Sequence, residues 1–336
     1  MTISAPAQRG SDYSRLSKTV AAAGLLDRRP GYYAVKIGST VALFAAGWVA
    51  VALLGDSWWQ AALAVPLAIV CTQMSFLGHD AGHRQIARTR RGAVTLGLLH
   101  GNLATGLGYG WWMDKHTRHH ANPNHEDEDP DVGAGALVWT HEQALETRGV
   151  QRWMARRQAY LFFPLLLLEG FNLHWASIRS IRDTPMRHRA LEAVLLAVHT
   201  VGYLTIVLTS MSPVKALVFV LIHQGLWGLY MGLSFAPNHK GMPILTAADD
   251  LDYLRKQVLT SRNVRGGVFT DLALGGLNYQ IEHHLFPSMP RANLRRAQPI
   301  VRAFCEDLGL GYEETGLVRS YGYALRHLHE VGAPLR

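Results

Sequence analysis

Charged residues and cysteines are scarce in this 336-residue chain. Only 17% of the residues are charged, against roughly 25% in soluble domains, while 49% are hydrophobic. So much apolar surface excludes a mainly disordered chain, and two cysteines, Cys71 and Cys305, exclude a disulfide scaffold. The start of the chain has no apolar stretch followed by small residues, so we expect no cleaved signal peptide.

The sequence also lacks the short motifs that hold common cofactors. It contains no Cys-x-x-Cys, no Gly-x-Gly-x-x-Gly after a predicted strand, and no His-Glu-x-x-His. Glu-x-x-His pairs, which mark a soluble carboxylate di-iron bundle, are absent as well. We therefore expect no flavin, nicotinamide, iron–sulfur cluster or covalent haem in this chain.

The apolar residues are gathered in long windows without charge, a pattern typical of membrane proteins. A bilayer core needs about 20 apolar residues in a helix. Four windows qualify, at 37–55, 57–79, 193–214 and 216–239. One charged residue separates the members of each pair, which predicts two transmembrane hairpins. Two further windows are ambiguous, since 92–113 contains six glycines and 159–168 is short.

Loop charges predict the orientation of these hairpins. The stretches 84–91, 148–157 and 179–189 are basic, and basic loops usually face the cytoplasm. We therefore expect residues 159–176 to lie in the membrane interface, or to dip in and return. The net charge of +8 fits the same bias. Nucleic-acid binding is not expected, because no basic stripe alternates with stacking aromatics.

The predicted fold is an all-α integral membrane protein with four transmembrane helices in two hairpins and a cytoplasmic helical cap. Both termini are expected in the cytoplasm of a bacterial-type cell, with the hairpins in its cytoplasmic membrane. The expected divisions are an N-terminal cytoplasmic segment, the first hairpin, a first cap segment, the second hairpin and a second cap segment, at residues 1–36, 37–79, 80–192, 193–239 and 240–336.

Three histidine clusters lie in the segments assigned to the cap. Residues three or four apart share one face of a helix, and each cluster has this spacing. Their members are His79 and His83, then His116, His119 and His120, and finally His283 and His284, with Gln280 in the first place. A further histidine, His239, ends the fourth apolar window.

Such clusters predict a metal site. Imidazole is a good ligand for iron, copper, nickel and zinc. One pair of histidines on a helix is weak evidence, but three clusters with matching spacing on one predicted membrane face are strong evidence. Seven histidines exceed the roughly three protein ligands of a catalytic zinc. The number suits two ions that keep open coordination positions.

The clusters, read as His-Asp-Ala-Gly-His, His-Thr-Arg-His-His and Gln-Ile-Glu-His-His, resemble the three histidine boxes of membrane fatty acid desaturases. The glutamine in the first place of the third cluster resembles the third box of the front-end and linoleoyl-CoA desaturase branch. The similarity covers roughly residues 30 to 320. It includes the stretches 106–112, 169–174 and 235–243 and the residues that precede and follow the third cluster.

The resemblance implies a membrane-bound, O2-dependent desaturase that introduces a cis double bond into an acyl chain carried by CoA or a lipid. It also implies a non-haem centre of two iron ions. The implied metal ligands are His79, His83, His116, His119, His120, His239, His283 and His284, with Gln280 as a further candidate.

Carboxylates and amides near the ligands are candidates for orienting them. A carboxylate on the far imidazole nitrogen fixes the tautomer and aims the other nitrogen at the metal. Asp80, Glu282 and Asn238 are the main candidates. Further candidates are Glu126, Asp127, Asp129 and Asp131, although the acidic stretch 126–129 is more typical of a solvated loop. Tyr109, Trp111 and Trp112 suit either an acyl tunnel or the membrane interface.

Relatives of the front-end type carry a cytochrome b5-like domain, for which residues 1–36 are too short. We therefore expect a separate electron carrier, a ferredoxin-type protein with an NAD(P)H reductase. Alternative reactions on the same scaffold are hydroxylation, acetylenic bond formation and carotenoid or sterol oxidation. A haem- or metal-binding membrane subunit is a distant alternative, because the histidines gather at one end of the apolar windows and not at mid-membrane.

Overall fold

A computed structural model describes residues 11–336, and the first ten residues of the predicted N-terminal segment lie outside this range. The described chain is mainly helical. The helices are α1 (Ser11–Ala22), α2 (Pro30–Leu54), α3 (Trp59–Gly82), α4 (Arg90–Leu98), a π-helix (Leu99–Thr105), α5 (Tyr109–Ala121), α6 (His141–Glu146), α7 (Gly149–Asp183), α8 (Arg189–Ser210), α9 (Pro213–His239), α10 (Tyr253–Leu259), α11 (Val268–Ala273), α12 (Gln280–Leu285), α13 (Arg291–Asp307), α14 (Leu317–Val331) and a 3-10 turn (Ala333–Leu335). Strands β1 (Asn263–Arg265) and β2 (Glu314–Gly316) form a short parallel pair.

Five of the described helices are long and apolar enough to cross a membrane, namely α2, α3, α7, α8 and α9. Four of them coincide with the four predicted windows, and the fold is that of an all-α membrane protein. The fifth, α7, has 35 residues, although hydropathy pointed only to 159–168, because charged residues flank that stretch within the same helix. Since α7 is unbroken, the prediction that 159–176 dips in and returns is wrong; its interfacial location stays a prediction.

The glycine-rich window 92–113 is divided among α4, the π-helix and α5, so no single α-helix covers it. Gly106 follows the π-helix with φ +67°, a left-handed conformation that glycine adopts without strain. A Cβ at this position would lie 2.5 Å from His199 and 2.7 Å from His174. Gly106 thus lets the chain turn from the π-helix into α5, the helix of the second histidine cluster.

The chain forms two compact units, the first comprising residues 11–28, 118–159 and 236–336. Its main core is built by α1, α10, α12 and α13, whose buried residues include Leu16, Val20, Leu254, Val258, Ile281, Leu285 and Val301. The Tyr13 hydroxyl donates to the Leu285 carbonyl at 3.0 Å. The segment before α2 and the segment after α9 therefore share one hydrophobic core.

The second unit comprises residues 29–117 and 160–235. Val51, Leu67, Val207 and Phe219 join α2, α3, α8 and α9 in one buried cluster. Large apolar side chains cover the outside of these helices, and Leu53, for example, is 83% exposed. Exposed apolar surface of this extent is typical of contact with lipid.

The turns of the two hairpins meet within the second unit. The Asp56 carboxylate accepts a hydrogen bond from the Ser212 amide at 2.7 Å and lies 3.0 Å from the Lys215 ammonium. Residues 80–117 and 160–192, assigned to the cap from sequence, cluster with the apolar helices. The predicted division between cap and hairpins stays a prediction.

Candidate metal centre

Three histidines converge in the second unit. His79 and His83 lie at the end of α3 and its C-cap, and His116 lies on α5. The Nε2 atoms of His83 and His116 are 2.8 Å apart, and nitrogen atoms of all three rings lie within 4.8 Å of one another. We call these three residues the first cluster.

Neighbouring side chains contact two rings of the first cluster. The Asp80 carboxylate lies 3.4 Å from His79 Nδ1, and it also accepts from the Tyr33 hydroxyl at 3.1 Å. Trp112 stacks on His116 with ring centroids 4.5 Å apart. A side chain at Gly82 would collide with the Trp112 ring, so this glycine is what lets the indole approach. Asp80 thus lies beside His79, and its role in orienting that ring stays a prediction.

Three other histidines converge in the first unit. His119 lies on α5, His239 at the end of α9 and His284 on α12, and their ligand nitrogens lie within 4.8 Å of one another. The Nε2 atoms of His239 and His284 are 3.1 Å apart. All three side chains are buried. We call these residues the second cluster.

The remaining two predicted histidines adjoin the second cluster. His120 stacks on His284 with ring centroids 4.2 Å apart and lies 4.8 Å from the His283 ring. His283 is 1% exposed. Every predicted histidine ligand therefore lies against at least one other imidazole.

Hydrogen bonds to Nδ1 orient all three rings of the second cluster. His119 Nδ1 lies 2.9 Å from an Asp129 oxygen, His239 Nδ1 lies 3.0 Å from the Thr260 carbonyl, and His284 Nδ1 lies 2.8 Å from Gln257 Oε1. These oxygens can only accept hydrogen bonds from the rings, so in each neutral ring the proton is on Nδ1. The lone pair of each ring is then on Nε2, where a metal ion could bind.

This arrangement fits a metal ion. The lone pairs of His239 and His284 face each other at 3.1 Å and repel unless a proton or a cation lies between them. Metal-binding histidines commonly donate their other ring N–H to a carboxylate or a carbonyl, as these three do. The donor set consists of neutral imidazoles, which suit iron, copper, nickel or zinc.

Gln280 and Asn238 lie beside the second cluster. The Gln280 amide nitrogen is 2.9 Å from His239 Nε2, and its oxygen accepts from Asn238 Nδ2 at 3.2 Å. Asn238 also donates to the Leu277 carbonyl at 3.1 Å. In this orientation Gln280 presents an N–H to the cluster. Its side-chain amide would have to flip by about 180° before its oxygen could bind a metal ion.

Asp129 contradicts the expectation of a solvated acidic loop. It is 2% exposed, and besides His119 it accepts from the amides of Asn124 at 2.7 Å and Asp131 at 2.8 Å. Burial alone would raise the pKa of this carboxyl, but the hydrogen bond from His119 lowers it below its usual value. Asp129 was a candidate from the sequence, and the structure places it beside His119.

Glu282 was a candidate for orienting a histidine, but its carboxylate has other partners. It is fully buried and accepts from Asn263 Nδ2 and from the Tyr312 hydroxyl, both at 2.7 Å. Asn263 in turn accepts from the Ile281 amide at 2.9 Å. Burial raises the pKa of the Glu282 carboxyl. The residue therefore supports the backbone of α12, which carries the third box.

A narrow, mainly apolar cavity lies beside His79 in the second unit. Its other lining residues are Ser75, Phe76, Gly78, Gly97, Gly101, Leu107, Tyr109, Trp112, Met231 and Phe235. Two of the three aromatic residues considered for an acyl tunnel, Tyr109 and Trp112, are in this wall, whereas Trp111 is not among the lining residues. Apolar walls around a few polar groups are the usual form of a small-molecule site.

Comparison with known proteins identifies the family. The fatty acid desaturase family model matches residues 56–316. An acyl-lipid (9-3)-desaturase of Physcomitrium patens is 30% identical over 89% of this chain and 58% of its own length. A delta(8)-fatty-acid desaturase of Euglena gracilis is 28% identical over 90% of this chain and 74% of its own. Fatty acid desaturase 3 of Homo sapiens is 28% identical over 97% of this chain and 74% of its own.

The chain therefore belongs to the fatty acid desaturase family, and the prediction of this family is confirmed. It spans little more than half the length of the Physcomitrium protein.

Proposed function

We propose that this protein is a membrane-bound, O2-dependent desaturase that introduces a cis double bond into an acyl chain. The observation that carries the proposal is the presence of two clusters of imidazoles in a member of this family. Within each cluster the ligand nitrogens lie within 4.8 Å of one another.

We propose one iron ion for each cluster. His79, His83 and His116 would hold one ion, and His119, His239 and His284 the other. His120 and His283 are the remaining ligands, and Gln280 is a further candidate. Because α5 carries His116, His119 and His120, one helix contributes ligands to both ions. When bound, the iron pair would activate O2 as an oxidant strong enough to react with an unactivated CH2 group.

The protein contributes position. An acyl chain that enters the cavity beside His79 runs along Phe76, Met231 and Phe235, with Tyr109 and Trp112 as further walls. These side chains exclude water and leave one section of the chain next to the first cluster. Since only a CH2 group held in reach of the oxidant reacts, the cavity selects the position of the double bond.

We propose four membrane spans with both termini in the cytoplasm. Residues 118–159 and 236–336 belong to one compact unit, so the chain between them crosses the membrane an even number of times. One of α7, α8 and α9 is then not a span. The most apolar 18-residue stretch of α7 has a mean hydropathy of 1.3, against 1.9 and 1.6 for α8 and α9. We infer that α7 lies in the interface.

This topology is tested with single cysteines in a background lacking Cys71 and Cys305. In intact cells, a membrane-impermeant thiol reagent should label Trp58→Cys, at the turn of the first hairpin. Asp127→Cys and Arg187→Cys should react only after lysis. Labelling of Arg187→Cys in intact cells would mean that α7 crosses the membrane.

We base the substrate proposal on the name of a relative and the partner proposal on the net charge of the chain. The relative named acyl-lipid desaturase supports a lipid-linked acyl chain, with acyl-CoA as the other carrier. The net charge of +8 favours an acidic electron carrier, for which we propose a ferredoxin-type protein with its NAD(P)H reductase. We also propose that the protein lies in a bacterial-type cytoplasmic membrane, as predicted from the sequence.

The experiment is a fatty acid profile by gas chromatography and mass spectrometry. The chain is expressed with a ferredoxin and a reductase in a bacterium without aerobic desaturases, beside the double variant His119→Ala, His120→Ala. We expect a new unsaturated acid that is missing from the variant. A hydroxy or acetylenic product would replace desaturation by another reaction of the same scaffold. An unchanged profile in iron-loaded cells would contradict either an acyl substrate or the supplied electron donor.

A further inference from the structure

The first turn of α5 is held by side chains from three other helical elements of the second unit. The Gly108 amide donates to Ser177 Oγ of α7 at 2.8 Å. The Tyr109 amide donates to Asn102 Oδ1 of the π-helix at 2.9 Å, and the Gly110 amide donates to Glu192 Oε2 of α8 at 2.8 Å. Helices leave their first amides without intrahelical partners, and here three consecutive amides donate to side chains of other helical elements.

The three acceptors form one buried group. Asn102 and Ser177 are fully buried, and Glu192 is 3% exposed. Asn102 Nδ2 also lies 3.3 Å from Glu192 Oε2, which links two of the acceptors. A carboxylate at a helix N-terminus is favoured by the helix dipole, but its burial is costly unless it is hydrogen-bonded. A serine or an aspartate just before α5 would cap the helix more simply.

What this arrangement adds beyond capping is a fixed position for α5 relative to α7 and α8. A Cβ at Gly110 would lie 2.6 Å from Glu192 Oε1, so the backbone approaches the carboxylate as closely as glycine allows. Tyr109 and Trp112 of this helix line the cavity, and His116 of the first cluster follows about one turn after Trp112. A shift of the first turn would therefore move both the cavity wall and a ligand.

We propose that Glu192 is a positioning residue of the desaturase. It fixes the first turn of α5 through Asn102 and the Gly110 amide, and thereby sets the positions of Tyr109, Trp112 and His116. The importance of this role for catalysis rests on the proposed function. The effect of Glu192 on the first turn of α5 can be measured without any substrate.

Hydrogen–deuterium exchange of the full-length chain in detergent tests the structural content. In Glu192→Ala we expect the amides of residues 107–113 to exchange roughly ten- to a hundredfold faster, because a hydrogen bond to a charged acceptor is lost. Exchange in α13 should stay unchanged. Glu192→Gln keeps an oxygen acceptor and should exchange more slowly than Glu192→Ala. Glu146→Ala, which removes an exposed carboxylate, is the matched control and should behave like the wild type.

Iron content of the same preparations tests the effect on the cluster. We expect Glu192→Ala to retain several-fold less iron per chain than the wild type, and Glu192→Gln to recover most of it. Wild-type exchange at 107–113 in Glu192→Ala, or a uniform rise throughout the protein, would overturn the proposal. If exchange and iron respond as expected while the wild type makes no unsaturated acid, the positioning role stands and the desaturase function fails.

Discussion

Asp129→Asn is the substitution that most directly probes how the second cluster is oriented. It preserves the shape of a buried side chain and exchanges one oxygen for an NH2 group. Oδ2 accepts from His119 Nδ1 and the Asn124 amide, and Oδ1 accepts from the Asp131 amide. Because both oxygens face donors, the new NH2 group must face one as well. At least one hydrogen bond is therefore lost in either amide orientation.

The size of the effect follows from these contacts. A hydrogen bond to a charged group contributes about 1.5–3 kcal/mol, and loss of an outer partner of a metal-binding histidine typically costs 10–100-fold in metal affinity. We expect the second cluster of Asp129→Asn to bind Co(II), as a spectroscopic probe for iron, roughly 10- to 100-fold more weakly. The measurement is a titration of the metal-stripped protein in detergent, followed by absorption.

Asp127→Asn is the matched control, because Asp127 lies in the same loop but is exposed. Its Co(II) affinity should equal that of the wild type. The reasoning is refuted if Asp129→Asn binds Co(II) as tightly as the wild type, or if Asp127→Asn weakens binding to the same extent.

Three further substitutions have defined outcomes. Gly106→Ala introduces a Cβ at φ +67° against His199 and His174. It should cost about 1–3 kcal/mol and lower the thermal unfolding midpoint in detergent, whereas Gly31→Ala, with open space around it, should not. Gln280→Ala should retain more iron per chain than His284→Ala by elemental analysis, because Gln280 presents an N–H to the cluster; equal losses would instead indicate a ligand. Gly97→Val should push the Tyr109 ring into the cavity and reduce product by gas chromatography at unchanged iron content; an undiminished yield would separate this cavity from the substrate.

The sequence was most informative where one local rule decided the structure. Charge-free windows of about 20 residues located α2, α3, α8 and α9, with every boundary within seven residues of the observed one. The search for charge-free windows did not predict the full length of α7, because Arg152, Glu169 and Arg179 lie within this helix. A helix is cooperative over its whole length and tolerates such charges where they reach water or the interface.

Spacing similarly pointed to the candidate histidines, but neither to their division between two clusters nor to what holds them. Residues three or four apart share a helix face, so the boxes were visible without a structure. The contacts of Asp129 and Gln257 with His119 and His284 depend on how loops fold back on these helices, which no local pattern encodes. The same reason hid Glu192, whose partners Asn102 and Gly110 lie more than 80 residues away in sequence.

The central claim, that each histidine cluster holds a metal ion, is tested most directly by counting iron per chain in the purified protein. We expect about two irons per chain in the wild type, as in other two-metal sites. His83→Ala with His116→Ala, and separately His239→Ala with His284→Ala, should each lose at least one. A wild type with fewer than two irons after full loading, or a double variant that still holds two, would contradict the assignment of the two clusters.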